Sequence, residues 1–105
     1  MKSTIVCALN EIEHGAALRV VVDNMPVAVV RIDDDVYAVA DTCSHAKVSL
    51  SDGIVLCDTK EIECIRHGSA FSLVTGEPST LPATQPVVVF SARVENGNVL
   101  IETSN

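Results

Sequence analysis

Two short pairs of cysteine and histidine residues constrain this chain more than any other feature of its sequence. Cys43 and His45 are separated by one residue, and Cys64 and His67 by two. Eighteen residues lie between the pairs, and the whole chain has only four Cys and three His. Because thiolates and imidazoles bind soft and borderline metals, this pattern predicts a metal centre built from two loops.

Three interpretations of these pairs compete. The cysteines could be small apolar core residues beside two unrelated histidines, since free Cys is often buried. The four side chains could form a tetrahedral zinc site, for which two Cys and two His are suitable ligands. They could also hold a [2Fe-2S] cluster, with two thiolates on one iron and two imidazoles on the other. The interleaved order favours the cluster, because zinc fingers tend to place a Cys pair on one hairpin and a His pair on a helix.

The segments Cys43-Ser44-His45 and Cys64-Ile65-Arg66-His67-Gly68 resemble the Rieske iron–sulfur motif, in which Cys-x-His is followed by Cys-x-x-His. The flanking strands and the segment 75–83 are also similar to this family, so the resemblance covers nearly the whole chain. The spacer is slightly long for small Rieske ferredoxins, which predicts a short insertion around 57–60.

The resemblance implies one [2Fe-2S] cluster per chain. Cys43 and Cys64 would hold the buried ferric iron, and His45 and His67 would hold the outer iron, the one that is reduced. A further set of residues would surround the cluster, with Pro82 in a loop that covers it from a third side. These surrounding residues are Lys47, Arg66, Gly68, Ser69, Phe71 and Pro82.

The resemblance also predicts a reduction potential in the lower part of the Rieske range of roughly −150 to +300 mV. High-potential respiratory members have a disulfide between the ligand loops, where this chain has Val48 and Arg66. Those members also have a Ser and a Tyr that donate hydrogen bonds to sulfur. This chain keeps Ser69 and has Phe71 in place of the Tyr, while Lys47 and Arg66 would raise the potential somewhat.

Short apolar runs separated by turn signals make up the rest of the chain. The chain is 48% hydrophobic without Trp, and its many Val and Ile residues suit pleated strands. The segments predicted as strands are 4–9, 17–22, 27–32, 36–40, 54–56, 61–63, 70–74, 87–93 and 99–102. The pair Asn96-Gly97 is the strongest hairpin signal. The pattern predicts an all-β antiparallel sandwich or partly open barrel.

The fold expected from the resemblance is Rieske-like, a single domain of residues 1–105 into which a small cluster-binding subdomain, about 41–74, is inserted. The acidic run 33–35 should be a solvated hairpin tip, because a calcium loop needs spaced ligands and a closing Glu. His14 should be a solvated loop residue. Cys7 and Cys57 should be small apolar residues in strands.

The net charge of −7 argues against nucleic acid as a partner, since phosphate binding needs a basic surface. It suits brief encounters with a basic protein face, and it suits equally an acidic surface that only keeps the protein in solution. The sequence has no apolar run of eighteen residues, which predicts a soluble cytoplasmic protein without a membrane anchor. We expect it to be a monomer.

The resemblance implies one-electron transfer. We expect no catalysis, because the sequence shows no nucleophile–base pair and no open metal position. The resemblance implies a ferredoxin between a flavin reductase and a terminal oxygenase or other iron enzyme, as in bacterial ring-hydroxylating dioxygenase systems. The segments 67–69 and 81–87 are similar also to ferredoxins that accompany iron–sulfur cluster assembly. A Cys2His2 zinc structural module and a redox sensor that uses Cys57 remain as alternatives.

Overall fold

The computed structural model describes residues 2–41, 49–64, 70–78 and 86–103, which form two antiparallel β-sheets. The strands are β1 (Lys2–Ala8), β2 (Ala16–Val22), β3 (Met25–Ile32), β4 (Asp35–Ala40), β5 (Ile54–Leu56), β6 (Glu61–Glu63), β7 (Ala70–Ser72), β8 (Val89–Glu95) and β9 (Asn98–Thr103). The only helices in these ranges are two short 3-10 helices, Leu9–Glu11 and Leu50–Asp52. The predicted all-β fold is confirmed.

The larger sheet has six strands in the order β1-β9-β8-β4-β3-β2. Tight turns join its hairpins, and their residues adopt the positive φ angles that two-residue hairpin turns require. Asn96 and Gly97 have φ angles of 54° and 77°, and Asp23 and Asn24 have 51° and 66°. The Asn96-Gly97 hairpin and the solvated acidic tip at 33–35 are as predicted.

Strand β3 is buried on both faces, which explains its run of apolar residues. Val27 and Val29 pack into an inner core with residues of β4 and β9, such as Ala38 and Ile101. The alternate residues Ala28 and Val30 point to the other face, because side chains alternate along a strand. There they belong to a second core that includes residues of the smaller sheet.

The smaller sheet consists of β5, β6 and β7, each only three residues long. It packs on the outer face of the six-stranded sheet through fully buried side chains such as Ile62 and Phe71. Gly53 enters this sheet so closely that an added Cβ would lie 1.9 Å from the carbonyl oxygen of Glu63. The smaller sheet therefore depends on close backbone packing as well as on the shared core.

Three strand predictions need correction. The strand predicted at 4–9 ends at Ala8, because Leu9 begins a 3-10 helix. The strand predicted at 70–74 ends at Ser72, because the Ser72 hydroxyl accepts the amides of Val74 and Thr75 in a turn. The strand predicted at 87–93 begins at Val89, since the amide of Val87 donates to Gly76 instead of to a neighbouring strand.

The two cysteines outside the predicted motif are both half-buried. Cys7 lies in a strand, β1, as predicted, and it is next to a register shift between β1 and β9. Cys57 was wrongly placed in a strand, because it occupies the turn between β5 and β6, where it packs against the shared core. No helix in the described part of the chain is long and apolar enough to cross a membrane.

Candidate metal centre

Three segments that carry the predicted site connect described elements: 42–48, 65–69 and 79–85. The described residues on either side of each segment are held close together. The amide of Leu50 donates to the carbonyl of Asp41 at 2.5 Å, and Val87 donates to Gly76 at 2.8 Å. Strands β6 and β7 are paired up to Glu63 and Ala70. The described residues that flank each segment are therefore neighbours in the fold.

The flanks of all three segments share one hydrophobic core. Val39 and Leu50 lie on the two sides of the first segment, Cys64 and Ala70 border the second, and Val87 follows the third. All of these residues are buried, and all except Ala70 belong to the core that joins the two sheets. The described residues that flank the three segments therefore lie around one buried apolar core.

Cys64 is the predicted ligand that the structure describes. It follows β6 directly, it forms no disulfide bond with the described residues, and its side chain is completely buried. A buried cysteine sulfur directly after a strand fits the sulfur-bound half of a mixed-ligand cluster. The donor set predicted from sequence, two Cys and two His, also fits that cluster.

Phe71 is the other predicted site residue within the described ranges, and it is completely buried in the core shared by the two sheets. Ile62 lies opposite it on β6. The remaining predicted site residues lie outside the described residues. They are Cys43, His45, Lys47, Arg66, His67, Gly68, Ser69 and Pro82.

The third histidine lies apart from this region. The side chain of His14 is 56% exposed, and its Nδ1 atom accepts the backbone amide of Asp33 at 2.8 Å. This is the solvated loop position predicted from sequence. Among the residues that the structure describes, no group of three or more His, Cys, Asp or Glu side chains could hold a metal ion.

Sequence analysis missed the role of Asp41, which is buried at the end of β4. Its Oδ2 atom accepts a hydrogen bond from Nε of Arg19 at 3.1 Å, and its Oδ1 atom accepts the amide of Ser51 at 2.9 Å. The one available signal was Arg19, which is the only charged residue in β2. A lone charge in an apolar strand implies a partner, but the sequence does not say which one.

Residues 2–91 match the family described as the Rieske [2Fe-2S] domain. The match covers the smaller sheet, strands β1 to β4 of the larger sheet and all three segments. This chain belongs to the Rieske [2Fe-2S] family. The family binds a [2Fe-2S] cluster. The cofactor of this chain is therefore this cluster, and the zinc alternative is set aside.

Two relatives indicate the type of Rieske protein. The chain is 42% identical over 97 residues to "Ferredoxin CarAc" of Metapseudomonas resinovorans, covering 91% of this chain and 89% of that protein. It is 36% identical over 103 residues to the "3-phenylpropionate/cinnamic acid dioxygenase ferredoxin subunit" of Escherichia coli strain K12, covering 97% of this chain and 94% of that protein. Both relatives are ferredoxins.

The solved structures that this chain resembles include ferredoxins as well. The ferredoxin of carbazole 1,9a-dioxygenase from Nocardioides aromaticivorans IC177 superposes with a TM-score of 0.95 at 33% identity, covering 99% of this chain and all of that one. A ferredoxin in a complex of reduced oxygenase and oxidised ferredoxin of carbazole 1,9a-dioxygenase matches with a TM-score of 0.85 at 40% identity, covering 94% and 91%.

This Rieske chain is a ferredoxin, an electron carrier and not an enzyme in its own right. In the carbazole system, a similar ferredoxin is found in a complex with its oxygenase. The bound [2Fe-2S] cluster supplies reversible uptake of one electron. The protein binds and orients the cluster and tunes its electronic properties.

Proposed function

We propose that this ferredoxin passes single electrons from a flavin-containing reductase to the oxygenase of a ring-hydroxylating dioxygenase system. Its cluster is held by Cys43 and Cys64 on the inner iron and by His45 and His67 on the outer iron. The inner iron is sheltered by the fold, while the imidazoles face the partner. Neutral imidazole ligands make the cluster less negative than thiolates would, so it accepts an electron more readily.

One observation supports the ligand assignment: described residues that flank the three segments belong to one buried core, and Cys64 lies in that core. Two of these segments contain the other three proposed ligands. The third contains Pro82, which we propose covers the cluster. Lys47, Arg66, Gly68 and Ser69 then surround it, and Ser69 donates a hydrogen bond to sulfur.

The dioxygenase role is supported by the names of the relatives, which belong to carbazole and 3-phenylpropionate/cinnamic acid dioxygenases. Because those relatives serve different aromatic substrates, the substrate is a property of the oxygenase and not of the carrier. A role in cluster assembly is the alternative considered from sequence, and no described residue favours it.

We further propose that the chain is one domain, residues 1–105, with a cluster-binding subdomain at about 41–74. It acts as a monomer in the cytoplasm and binds one cluster. The net charge of −7 favours fast, weak encounters with basic partner surfaces, which suits a carrier that must leave again. With Phe71 in the place of the respiratory Tyr, the reduction potential lies in the lower part of the Rieske range.

The ligand assignment is tested by single substitutions of the four proposed ligands to Ala, followed by iron and acid-labile sulfide analysis. We expect each of the four variants to lose the cluster and its reddish-brown colour, because cluster binding and folding of the loops are coupled. The chain offers matched controls for both residue types. Cys7→Ala, Cys57→Ala and His14→Ala should retain two irons and two sulfides per chain.

A ligand variant that keeps the full visible spectrum removes that residue from the proposed set. Loss of the cluster in the Cys57→Ala control would instead support the alternative redox role of that thiol. Paramagnetic resonance of the reduced protein should show the low average g-value expected for mixed nitrogen and sulfur ligation.

The partner assignment is tested by mixing the reduced ferredoxin with oxidised carbazole dioxygenase oxygenase in a stopped-flow spectrometer. We expect the ferredoxin to be oxidised at a rate that rises with oxygenase concentration and falls with added salt, because encounter is steered by charge. A rate that does not depend on oxygenase concentration contradicts the role in dioxygenase systems.

A further inference from the structure

Asp41 joins the two ends of the segment 42–48. Its backbone carbonyl accepts the amide of Leu50, and its carboxylate Oδ1 accepts the amide of Ser51 at 2.9 Å. Both donors lie just after the segment, and Asp41 lies just before it. One residue therefore fixes the entry and the exit of the segment that contains Cys43 and His45.

The same carboxylate ties this loop base to the six-stranded sheet. Its Oδ2 atom accepts a hydrogen bond from Nε of Arg19 on β2 at 3.1 Å, and the amide of Asp41 donates to Pro26 on β3. The Asp41 side chain is only 2% exposed, whereas the Arg19 side chain is 53% exposed. Hydrogen bonds between ionised groups are shorter and stronger than neutral ones, and burial strengthens them further.

We propose that Asp41 and Arg19 are positioning residues for the cluster: they fix the segment that contains Cys43 and His45, and thereby set how firmly the cluster is held and what its reduction potential is. The contacts involved are those among Arg19, Asp41, Leu50 and Ser51. The inference rests on the proposed ligand set. Residues that orient metal ligands without touching the metal commonly change metal affinity when they are removed.

The test uses the full-length holoprotein and four variants, Asp41→Ala, Asp41→Asn, Arg19→Gln and the double variant Asp41→Ala/Arg19→Gln. We expect Asp41→Ala to lose its iron and sulfide to a chelator about tenfold faster than the parent. Its g-values and reduction potential should also move, because the geometry of the cluster changes. Asp41→Asn keeps an oxygen that can accept the Ser51 amide, so it should restore most of the parental cluster retention.

Arg19→Gln should accelerate cluster loss by about threefold, which is less than Asp41→Ala because the Asp41 carboxylate still accepts the amide of Ser51. In the Asp41→Ala background it should add nothing further, since the two side chains act through one contact. Arg93→Gln is the matched control, because it makes the same charge change on β8, where Arg93 pairs with Glu95. It should leave the loss rate, the g-values and the potential unchanged.

The proposal is overturned if Asp41→Ala keeps the parental g-values, potential and loss rate, even if its unfolding midpoint falls, because the residue then only stabilises the fold. If Asp41→Ala does not fold, Arg19→Gln decides: parental cluster loss in that variant overturns the proposal. If instead Cys43→Ala or His45→Ala keeps the cluster, the ligand set itself is wrong, which is a separate result.

Discussion

The six-stranded sheet and the three-stranded sheet reach their structures in different ways. The larger sheet has strands of six to eight residues joined by tight turns, and its inner core is formed by its own strands and the segment at Ile12. The smaller sheet has three strands of three residues each. Its buried residues share their core with Ala28, Val30 and Val39 of the larger sheet.

This difference separates a scaffold from a site. A three-stranded sheet with three-residue strands buries too little surface to be stable by itself. It persists because the outer face of β3 is apolar and because Asp41 joins the residues on the two sides of the segment 42–48. The larger sheet needs neither, so changes in the shared core should affect the cluster before they affect the scaffold.

The largest effect is expected from Phe71→Ala in the shared core. Removing a completely buried aromatic side chain costs about 3–5 kcal/mol. We expect amide hydrogen exchange to lose protection first in residues 50–78, with loss of the cluster, while the central strands β3 and β4 keep most of theirs. The measurement is exchange followed peptide by peptide.

Ile101→Ala is the matched change in the inner core, where Ile101 is completely buried, and it costs about 2–5 kcal/mol. It should weaken both sheets together, because the smaller sheet rests on the larger one. Equal loss of protection in both sheets of Phe71→Ala would show that the two cores unfold as one unit, and the proposed separation would be wrong.

Two glycines give the second prediction. Gly53→Ala places a Cβ 1.9 Å from the Glu63 carbonyl oxygen and 3.0 Å from that of Leu50. Because backbone atoms on both sides must move, we expect a loss of about 3 kcal/mol and weaker cluster retention, measured by chemical denaturation and iron content.

Gly97→Ala is the control in the larger sheet. Nothing lies within 4 Å of the added Cβ, but the φ angle is +77°, so only the strain of the left-handed conformation remains, about 1 kcal/mol. Its cluster content should be parental. A Gly97→Ala variant that loses stability as severely as Gly53→Ala would contradict the view that close packing is specific to the smaller sheet.

Much of the larger sheet could be predicted from sequence because its signals are local. Asn96-Gly97 specifies a tight hairpin through the φ angles of two adjacent residues, and apolar alternation marks the strands around it. The placement of Cys57 in a turn was not predictable, since the run of apolar residues before it continues the strand pattern. The end of β7 at Ser72 depends on side-chain hydrogen bonds that propensity does not describe.

A contact beside the candidate site could not be predicted from sequence, for a related reason. The Cys and His pairs are visible as spacing, but the contact between Arg19 and Asp41 joins residues 22 positions apart on strands that are not neighbours in the sheet. Sequence alone shows a charge in β2 and a carboxylate after β4. Only the pairing of β2 and β4 on the two sides of β3 brings the two together.

A smaller effect is expected from Arg31→Gln in the six-stranded sheet. Arg31 donates to the carbonyl oxygens of Ile12 at 3.0 Å and Asp33 at 2.7 Å, which ties two loops to β3. Loss of these bonds should reduce the free energy of unfolding by about 1–2 kcal/mol without changing the cluster spectrum. Arg93→Gln, which breaks an exposed ion pair with Glu95, should cost less in the same denaturation assay. A change in the cluster spectrum of Arg31→Gln would show that the scaffold is less independent of the site than proposed.

The smallest effect concerns Cys7, which packs against the inner core of the larger sheet. Burial raises the pKa of the Cys7 thiol above its ordinary value, and the nearby carboxylate of Glu11 raises it further. The folded state therefore favours the neutral thiol, and the associated stability is present below the ordinary thiol pKa and is lost as the pH rises through the raised one.

Because the thiolate is the reactive form, alkylation of Cys7 should begin at a more alkaline pH than that of a free thiol. Glu11→Gln keeps an oxygen that can accept the Ala8 amide but removes the charge, so it should move the alkylation profile of Cys7, followed by peptide mass spectrometry, to lower pH. An unchanged profile would mean that burial alone sets the reactivity of this thiol, and the inner core would then shield Cys7 without help from the 3-10 helix beside it.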